Sequence, residues 1–517
     1  MTNPRAGQAT RLAWIRVLSL SVAVTGLSAS CRQRSFAPSE IDNHVPFAHA
    51  TPGFLLGVAT SAHQIEGGNQ NDWTDWEVSN YPDGRPHVKG HATATIAADS
   101  WQKWPQDVEA IQILGANLYR FGVEWSRLEP SEGAWNSAAV ANYRKQLLAL
   151  RSARPQAIQA MLNLYHFTLP RWVAQKGGWE WAGAVPAFAA FASRVAHEFG
   201  DVVDLWCTLN EPNVYATKSY MSGEWPPGVR EPRRAADVMA TLLKAHAAAT
   251  KAIRAADVID ADGDGKATRI GLAHNVRVFD PANAFDPLDR LVARYSDAFY
   301  NRAIPDAVRD GRIRISLPTV VSIDEPAADL KGTFDWLGLN YYTRDVLRSR
   351  VARRWFGKRK ENDDSTNTVA GDSSAAATRA RAGAPYEVVV EPGTPVTDLG
   401  WPIYPEGLLR VLEEFADYGW PILVSETGLA DVSGTVRPGF MRSHALAIDE
   451  ALRAGIPVIG YVHWSLMDNF EWSHGYDGRF GLFTIDFARD PLLVRRPTPA
   501  VETFRSFARQ LGLKPTD

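Results

Sequence analysis

Two glutamates carry the clearest chemical signal in this chain. Glu211 lies in the segment TLNEPN and Glu426 in the segment LVSETGLAD, and each ends an apolar run that is typical of a buried strand. Two carboxyl groups that flank a glycosidic bond can cleave it, one by proton transfer and the other by nucleophilic attack. The two residues are far apart in the sequence, so this chemistry requires a fold that brings their strands together.

The pattern of apolar segments supplies such a fold. Strand-like runs alternate with amphipathic helical stretches, which predicts repeated βα units and a parallel sheet. The predicted strands are 54–59, 117–121, 157–164, 202–209, 269–274, 336–340, 422–425 and 458–463. Eight strands match an α/β fold of the (β/α)8 TIM barrel type, whose strand ends meet at one catalytic face. We therefore predict one barrel domain over residues 51–517, with long βα-loop insertions.

One segment interrupts this alternation. The stretch from Arg344 to Gly393 is polar and includes the run KRKENDDSTNT. Such a composition is typical of a loop, so we predict a long and partly disordered surface excursion.

The composition excludes a nucleic-acid binder. The 517 residues include 55 Lys+Arg and 58 Asp+Glu, giving a net charge of -3, and no basic stripe is present. The 18 Trp and 15 Tyr offer flat faces that suit sugar rings, although most are expected in packing. The chain has 2 Cys, so a disulfide framework is not indicated, and we expect Cys207 to be a small core residue.

The amino-terminal residues have the features of a bacterial-type export signal. Three arginines precede the apolar stretch 17–27, and small residues precede Cys31. The stretch is shorter than the ~20 residues of a membrane span. Residues 1–50 are thus predicted to be an export signal and flexible leader, and the protein to be periplasmic, envelope-anchored or secreted. A lipid anchor at Cys31, soluble secretion and a disordered cytoplasmic leader are the alternatives, because Ser28 stands where lipoprotein signals usually carry Leu.

Eight segments near the predicted strand ends occur together in one order. They are FLLGVATSAHQIEGG, LYRFGVEWSRLEP, LNLYHFTLPRW, TLNEPN, WLGLNYYTR, GWPIYPEGL, VSETGLAD and GYVHWSLMDNFEWSHGYDGRFGLFTIDF. In this series, which spans residues 54–504, the chain resembles glycoside hydrolase family 1, the retaining β-glucosidase and β-galactosidase family. The resemblance implies a (β/α)8 barrel and a retaining exo-β-glycosidase that uses no cofactor and no metal.

The resemblance also implies the roles of the two glutamates. Glu426 matches the family's nucleophile and Glu211 its acid/base, in a double displacement through a glycosyl-enzyme intermediate. The family's residues that donate to the nucleophile are matched by Arg120, Asn340 and Tyr342. Such neighbours would keep Glu426 ionised, whereas an acid catalyst must begin protonated.

Other positions match the family's sugar-binding residues. The predicted contacts are Gln64, His166, Asn210, Trp464 and Glu471, with Trp472 and Phe480 in the pocket wall and Trp401 as a stacking surface for the aglycone. Asn210 is expected to contact the 2-hydroxyl. A carboxylate at Glu471 would repel the phosphate read by the family's phospho-sugar branch, so unphosphorylated β-glycosides are predicted, with β-glucosides foremost.

Two departures from the family pattern leave fine specificity open. Thr427 stands where the family usually has Asn, and Phe167 replaces a Trp, which removes an indole donor near the 3-hydroxyl. The same pocket also allows a transglycosylase that uses an alcohol or lipid acceptor. A catalytically inactive sugar-binding barrel is a further alternative, which the presence of both carboxylates disfavours. The sequence does not indicate an oligomeric state.

One acidic motif suggests a metal site. The segment DADGDGKATRIG, from Asp260 to Gly271, matches the acidic positions of a calcium loop but ends in Gly where a bidentate Glu is expected. No flanking helix pair is evident in the sequence. We therefore favour a solvated acidic turn from Asp260 to Gly265, with calcium binding as the alternative.

Overall fold

The computed structural model describes residues 35–350 and 385–516. The chain divides into two compact units, Met1–Ala37 and Pro38–Asp517, and the fold below is that of the second unit. The predicted export signal and Cys31 lie outside the described residues. Among the residues described, no helix has the length and apolar character needed to cross a membrane.

Eight parallel strands close into a barrel, as the sequence predicts. The strands are β1 (Leu55–Ala59), β2 (Leu118–Gly122), β3 (Gln159–Asn163), β4 (Leu205–Asn210), β5 (Arg269–Pro281), β6 (Arg312–Leu317), β7 (Val321–Pro326), β8 (Leu337–Ser349), β9 (Tyr386–Val389), β10 (Ile422–Thr427), β11 (Val458–Trp464), β12 (Phe483–Thr484) and β13 (Arg496–Pro497). The ring runs β1-β2-β3-β4-β5-β8-β10-β11, and β11 pairs with β1 to close it. All eight predicted strands are present, with ends shifted by a few residues at most sites.

Helices cover the outside of this barrel. They are α1 (Pro38–Asp42), α2 (Ala62–Ile65), α3 (Asp72–Glu77), α4 (Ser100–Leu114), α5 (Trp125–Leu128), α6 (Ser137–Arg151), α7 (Arg171–Gln175), α8 (Ala184–Phe199), α9 (Pro212–Tyr215), α10 (Pro232–Ala256), α11 (Pro287–Asp297), α12 (Ala303–Asp310), α13 (Pro405–Ala416), α14 (Arg437–Arg453) and α15 (Ala500–Gln510). In α8, Phe188, Val195 and Phe199 are buried on one face, as their helical spacing predicts.

One core cluster of the barrel is packed with side chains from several of its strands. Leu118, Met161, Leu205 and Leu423 meet there at 0 to 1 % exposure. These residues come from the continuous apolar runs that predicted the strands, because a strand covered on both faces cannot carry exposed polar groups. Cys207 belongs to the same cluster as a buried free thiol, which confirms its predicted role as a small core residue.

The predicted surface excursion begins later and ends earlier than expected. Strand β8 continues to Ser349, pairs with the extended end of β5, and is followed by antiparallel β9. Val346 and Leu347 are buried in this extension, and pairing satisfies their backbone groups. The loop assignment was therefore wrong at both ends, and residues 351–384 lie outside the described part of the chain.

The ordered unit also begins before residue 51. Helix α1 covers Pro38–Asp42, and Phe47 is 2 % exposed, with its ring centre 5.1 Å from that of Phe54 and 5.3 Å from that of Phe507. Residues before the predicted boundary thus include a helix and a buried ring, and the boundary itself stays a prediction. The sequence concealed this because a short segment with a single aromatic anchor has no regular periodicity.

Candidate active site

Both glutamates lie at strand ends beside irregularities in strand pairing. The register of β4 against β5 shifts between Cys207 and Asn210, and that of β10 against β8 shifts between Val424 and Glu426. Glu211 follows β4 with φ 45° and ψ 57°, in the left-handed region that a residue with a Cβ rarely adopts. Bulges next to active sites re-aim side chains, and unusual backbone conformations concentrate at such sites.

Glu426 is held through both of its carboxylate oxygens. Arg120 of β2 donates to Oε1, and the hydroxyl of Tyr342 donates to Oε2 over 2.6 Å. Arg120 and Glu426 are 1 % and 3 % exposed. Charge-assisted bonds of this kind fix the direction of a carboxylate. Arg120 and Tyr342 therefore both lie against Glu426, and the role of Glu426 as the nucleophile stays a prediction.

Glu211 has a different environment. Its Oε1 accepts from the amides of Asn275 and Asn340 over 2.8 and 2.9 Å. Burial, and next the negative charge of Glu426, raise the pKa of Glu211 to about 7, against the lowering effect of the two amides and Arg120. The carboxyl group therefore holds a proton in weakly acidic solution, which is the form that an acid catalyst requires.

Asn340 does not donate to Glu426 as predicted. Its backbone pairs with that of Glu426, but its Nδ2 donates to Glu211 and, over 3.1 Å, to Oδ1 of Asn210. The hydroxyl of Ser425 donates to Oδ1 of Asn340, which fixes the orientation of the amide. The prediction was wrong because adjacency of two backbones in a sheet does not determine the direction of a side chain at an irregular strand end.

A hydrogen-bonded row extends from Arg120 to His166. Arg120 donates through Nη2 to Oδ1 of Asn210 over 2.5 Å, which turns Nδ2 of Asn210 toward Nε2 of His166 at 3.1 Å. An amide nitrogen donates, so Nε2 accepts. Burial, followed by the charge of Arg120, holds the pKa of His166 well below its usual range. His166 is thus a neutral imidazole beside Asn210.

Glu471 lies with Gln64 and Trp464. Gln64 donates to Oε2 of Glu471 over 3.2 Å and is itself fixed by Asn469 and the carbonyl of Phe470, both at 2.9 Å. Burial first, and then the charges of Glu426 and Glu211, raise the pKa of Glu471 to about 8, while hydrogen bonds from Gln64 and Trp464 lower it. Burial is the main cause of the raised pKa at both Glu211 and Glu471, and the charge of Glu426 adds to it at each.

The predicted aromatic residues form walls around these groups. The rings of His166 and Trp464 stack with centres 5.7 Å apart, and Trp472 lies 6.1 Å from His166. On another side, Trp401 lies 5.9 Å from Tyr342 and 6.1 Å from Phe480, measured between ring centres. The structure therefore brings the predicted site residues into one cluster, and their individual roles toward the sugar stay predictions.

Phe167 and Trp225 pack behind the wall. Their ring centres are 4.8 Å apart, and each also contacts Trp472, at 5.3 and 5.7 Å. Trp225 is 6 % exposed and also contacts Trp73. Trp225 is therefore largely enclosed by other aromatic rings.

Sequence analysis overlooked Asn275 and Tyr300. Asn275 donates to Glu211, and the hydroxyl of Tyr300 donates to Oδ1 of Asn275 over 2.7 Å. A usable signal existed for Asn275, since it follows the apolar run of β5 as Glu211 follows that of β4. Tyr300 lies in a helical segment, and nothing in the sequence distinguishes it from a packing residue.

The acidic turn joins α10 to β5 and has no helix pair around it. Oxygens of Asp204, Asp260 and Asp262 lie within 4.8 Å of one another. The carboxylate of Asp260 accepts from the backbone N–H groups of Gly263 and Gly265 over 2.7 and 2.8 Å. These bonds explain the cluster as a hydrogen-bonded turn, and the expectation of no metal site is not tested by them.

Known proteins share this fold and arrangement. The model of glycosyl hydrolase family 1 matches residues 48–512. A β-galactosidase from Pyrococcus woesei is 30% identical over 89% of this chain and 97% of its own, and β-glucosidase A from Thermotoga maritima is 31% identical over 86% and 94%. The solved family 1 β-glucosidase from Thermotoga maritima superposes with a TM-score of 0.74 at 26% identity, covering 91% of this chain and 99% of the other.

The two carboxyl groups have different environments at the catalytic face of a (β/α)8 barrel. The family model covers nearly the whole barrel, and the relatives match over most of their length. The chain therefore belongs to glycosyl hydrolase family 1 and is a retaining β-glycosidase.

Proposed function

We propose that the protein hydrolyses unphosphorylated β-D-glucosides from the non-reducing end. The observation that carries this proposal is the difference between the two glutamates. Glu426 is bound by a cation and a hydroxyl, whereas Glu211 is buried between amides with a pKa raised to about 7 by burial and by Glu426. That difference supplies a nucleophile and a proton donor in the same pocket.

In the first step, the carboxylate of Glu426 attacks the anomeric carbon. The bond to the aglycone oxygen breaks as the bond to Glu426 forms, and Glu211 transfers its proton to that oxygen. The product is an alcohol and a glycosyl ester of Glu426. Arg120 and Tyr342 hold the attacking carboxylate, so part of the orientation required for attack exists before substrate binds.

The second step reverses the role of Glu211. Esterification removes the negative charge of Glu426, which is the second cause, after burial, of the raised pKa of Glu211. The pKa of Glu211 therefore falls in the intermediate, and its carboxylate can accept a proton from the incoming water. The water oxygen bonds to the anomeric carbon, and Glu426 leaves as a carboxylate.

The electrostatics of the pocket favour an uncharged sugar. Glu471 has a pKa raised to about 8, with burial first and then the charges of Glu426 and Glu211 as causes, so it is mostly protonated at neutral pH. The discrimination against a sugar phosphate therefore comes chiefly from the cost of burying the phosphate charge, to which the charge of Glu426 adds, rather than from a charged Glu471. Protonated Glu471 can both donate to and accept from sugar hydroxyls.

A panel of 4-nitrophenyl β-glycosides tests this proposal. Glucoside, galactoside, fucoside and 6-phosphoglucoside are compared by kcat/KM, with product analysis in the presence and absence of an alcohol acceptor. We expect the highest kcat/KM for the glucoside and hydrolysis as the main reaction in water. A preference for the 6-phosphoglucoside would reject the substrate class. A product dominated by the alkyl glycoside at low acceptor concentration would identify a transglycosylase.

We also propose that the protein is exported. The support is the sequence pattern alone, in which arginines, the apolar stretch 17–27 and small residues precede Cys31. Cell fractionation and mass spectrometry of the mature amino terminus test this, with Cys31→Ser as the comparison. Lipid attachment is expected to be lost in that variant, and an unprocessed cytoplasmic chain would reject export.

A further inference from the structure

Asn275 and Tyr300 connect Glu211 to the outer helical layer. Asn275 lies on β5, beside β4, and both the nitrogen and the oxygen of its side-chain amide form hydrogen bonds. Its Nδ2 donates to Oε1 of Glu211 over 2.8 Å, and its Oδ1 accepts from the hydroxyl of Tyr300 over 2.7 Å. A hydroxyl that donates to the amide oxygen requires that oxygen to face it. Tyr300 thereby determines that the NH2 group of Asn275 faces Glu211.

The position of Tyr300 is fixed from several directions. It lies in a π-helical turn, Ala298–Arg302, between α11 and α12. Asn301 exchanges two hydrogen bonds with the backbone of Arg277 on β5, over 2.7 and 3.1 Å. Asn213 donates to the carbonyls of both Asn275 and Tyr300, over 2.8 and 3.1 Å. Such π-helical turns are frequent at functional sites.

Burial keeps the hydroxyl of Tyr300 protonated and able to donate, although the cation beside it acts in the opposite direction. The guanidinium of Arg277 lies 5.7 Å from the centre of the Tyr300 ring and pairs with Asp345 over 3.2 Å. Burial raises the pKa of Tyr300 above its ordinary value, so the hydroxyl keeps its proton. A hydroxyl bond to an amide oxygen polarises the amide and strengthens its N–H donors.

We propose that Tyr300 and Asn275 form a positioning relay that determines which oxygen of Glu211 carries the catalytic proton. The proposal rests on the proposed role of Glu211 as acid and base. Oε1 accepts two N–H bonds, from Asn275 and Asn340, which occupy its lone pairs. The proton of neutral Glu211 therefore resides on Oε2, to which no group in the described ranges 35–350 and 385–516 donates.

The relay gives each step of the reaction a defined atom. In the first step the Oε2–H bond breaks, and the proton passes to the departing glycosidic oxygen. In the second step Oε2 accepts a proton from water as the water oxygen bonds to the anomeric carbon. Because Oε1 stays bound to the two amides throughout, the carboxyl group does not need to rotate between the steps.

Several charged or titratable groups also act on Glu211, and the test must account for them. They are Glu426 on β10, Glu471 after β11, Arg120 on β2, Tyr342 on β8 and Tyr300 in the π-helical turn. The variant Tyr300→Phe removes only the hydroxyl and keeps the ring against Arg277. It leaves the other members of this group in place but also removes the contact between the hydroxyl and Arg277. The comparison in the Asn275→Ala background therefore decides whether a change in the titration of Glu211 passes through the relay.

The experiment measures kcat/KM against pH for wild type, Tyr300→Phe, Asn275→Ala and the double variant. Loss of a donor to the carboxylate raises the pKa of Glu211. The basic limb of the pH profile should therefore shift to higher pH by roughly half a unit to one unit. In the Asn275→Ala background, Tyr300→Phe should cause no further shift. The matched control is Tyr418→Phe, which loses a hydroxyl bond of 2.8 Å to Asp306 on α12 and so weakens the same helical region without removing a contact to Asn275.

The possible results separate the relay from the function on which it rests. Superimposable pH profiles for wild type and Tyr300→Phe would overturn the relay, even if activity fell uniformly. An additional shift in the double variant would also overturn it, since Tyr300 would then act by another route. If Tyr300→Phe fails to fold, Asn275→Ala alone must still shift the limb. If the limb persists in Glu211→Ala, the acid/base assignment itself fails.

Discussion

Asn340 donates from Nδ2 to Oε1 of Glu211 over 2.9 Å, although its backbone pairs with Glu426 on the neighbouring strand. One residue thus contacts the proposed acid through its side chain and lies beside the proposed nucleophile through its main chain. The two carboxyl groups are therefore held by a shared strand, β8, which also supplies Tyr342 to Glu426. Because each carboxyl group has its own donors, substitutions at Glu426 and at Glu211 should have different effects on activity.

Replacing Glu426 by Gly should abolish hydrolysis. We expect kcat to fall by on the order of 10⁵-fold, because no other carboxylate can form the ester. Added azide should restore turnover and yield an α-glycosyl azide, which NMR spectroscopy of the product identifies. The exposed Glu413 offers a control, and Glu413→Gly should retain activity. Wild-type turnover by the Glu426 variant would contradict the assignment.

Replacing Glu211 by Ala should have a substrate-dependent effect. Substrates with good leaving groups, such as dinitrophenyl glucoside, need little protonation, so their glycosylation rate should be nearly retained. Alkyl glucosides should lose roughly 10²- to 10⁴-fold, the usual contribution of general acid catalysis. Burst kinetics with the two substrate classes measure the difference. An equal loss for both classes would indicate a different proton donor.

The pH dependence of wild-type kcat/KM follows from Glu211. Its pKa is raised to about 7, with burial first and the charge of Glu426 second, so the protonated acid is lost above neutral pH. We expect activity to decline on the basic side with a midpoint near 7, and the decline to be absent in Glu211→Ala for a substrate with a good leaving group. A midpoint near the ordinary pKa of glutamic acid would show that the carboxyl group is not desolvated as described.

The stability of the folded protein should decrease as the pH rises from the unfolded-state pKa of Glu471 to its folded-state pKa. Burial, and then Glu426 and Glu211, raise the folded-state pKa of Glu471 to about 8. The folded protein therefore binds this proton more tightly than the unfolded chain, and the stabilisation is present below pH ~4.5 and is lost by about pH 8. Glu471→Gln should flatten the fall in Tm between pH 5 and 8 by a few degrees. The exposed variant Glu413→Gln should leave the slope unchanged, and an equal slope in both variants would contradict the assignment.

Arg120 should contribute to both stability and catalysis. It is buried against Glu426 and donates to Asn210. Arg120→Met leaves a buried carboxylate without its cation, which should cost about 3–5 kcal/mol of unfolding free energy. Arg120→Lys keeps the charge but loses the guanidinium that donates to both Glu426 and Asn210. This variant should therefore be more stable than Arg120→Met but have a lower kcat than the wild type. Urea unfolding and steady-state kinetics measure these effects, and equal stability of the two variants would exclude a role for the charge.

Much of the fold was predictable because burial leaves a regular trace in the sequence. The run before Asn210 and the run before Glu426 are apolar at nearly every position, since barrel strands are covered on both faces. The hairpin of β8 and β9 was missed because many of its positions are only half-buried and it contains several polar residues. The local composition of this segment indicated a loop. It forms a strand because the end of β8 pairs with the extended end of β5.

The sequence by itself determined the barrel and the position of the two glutamates at strand ends, because these depend on periodicity and on residue types, and eight segments in order indicated the family. The tertiary structure decided which donors face which carboxyl group. Asn340 turned toward Glu211 rather than Glu426, and Tyr300 joined the site through Asn275 without any local signal of its own. The physical reason is that a side chain's direction depends on bulges and register shifts, and the pKa of Glu211 on burial and on charges contributed by distant strands.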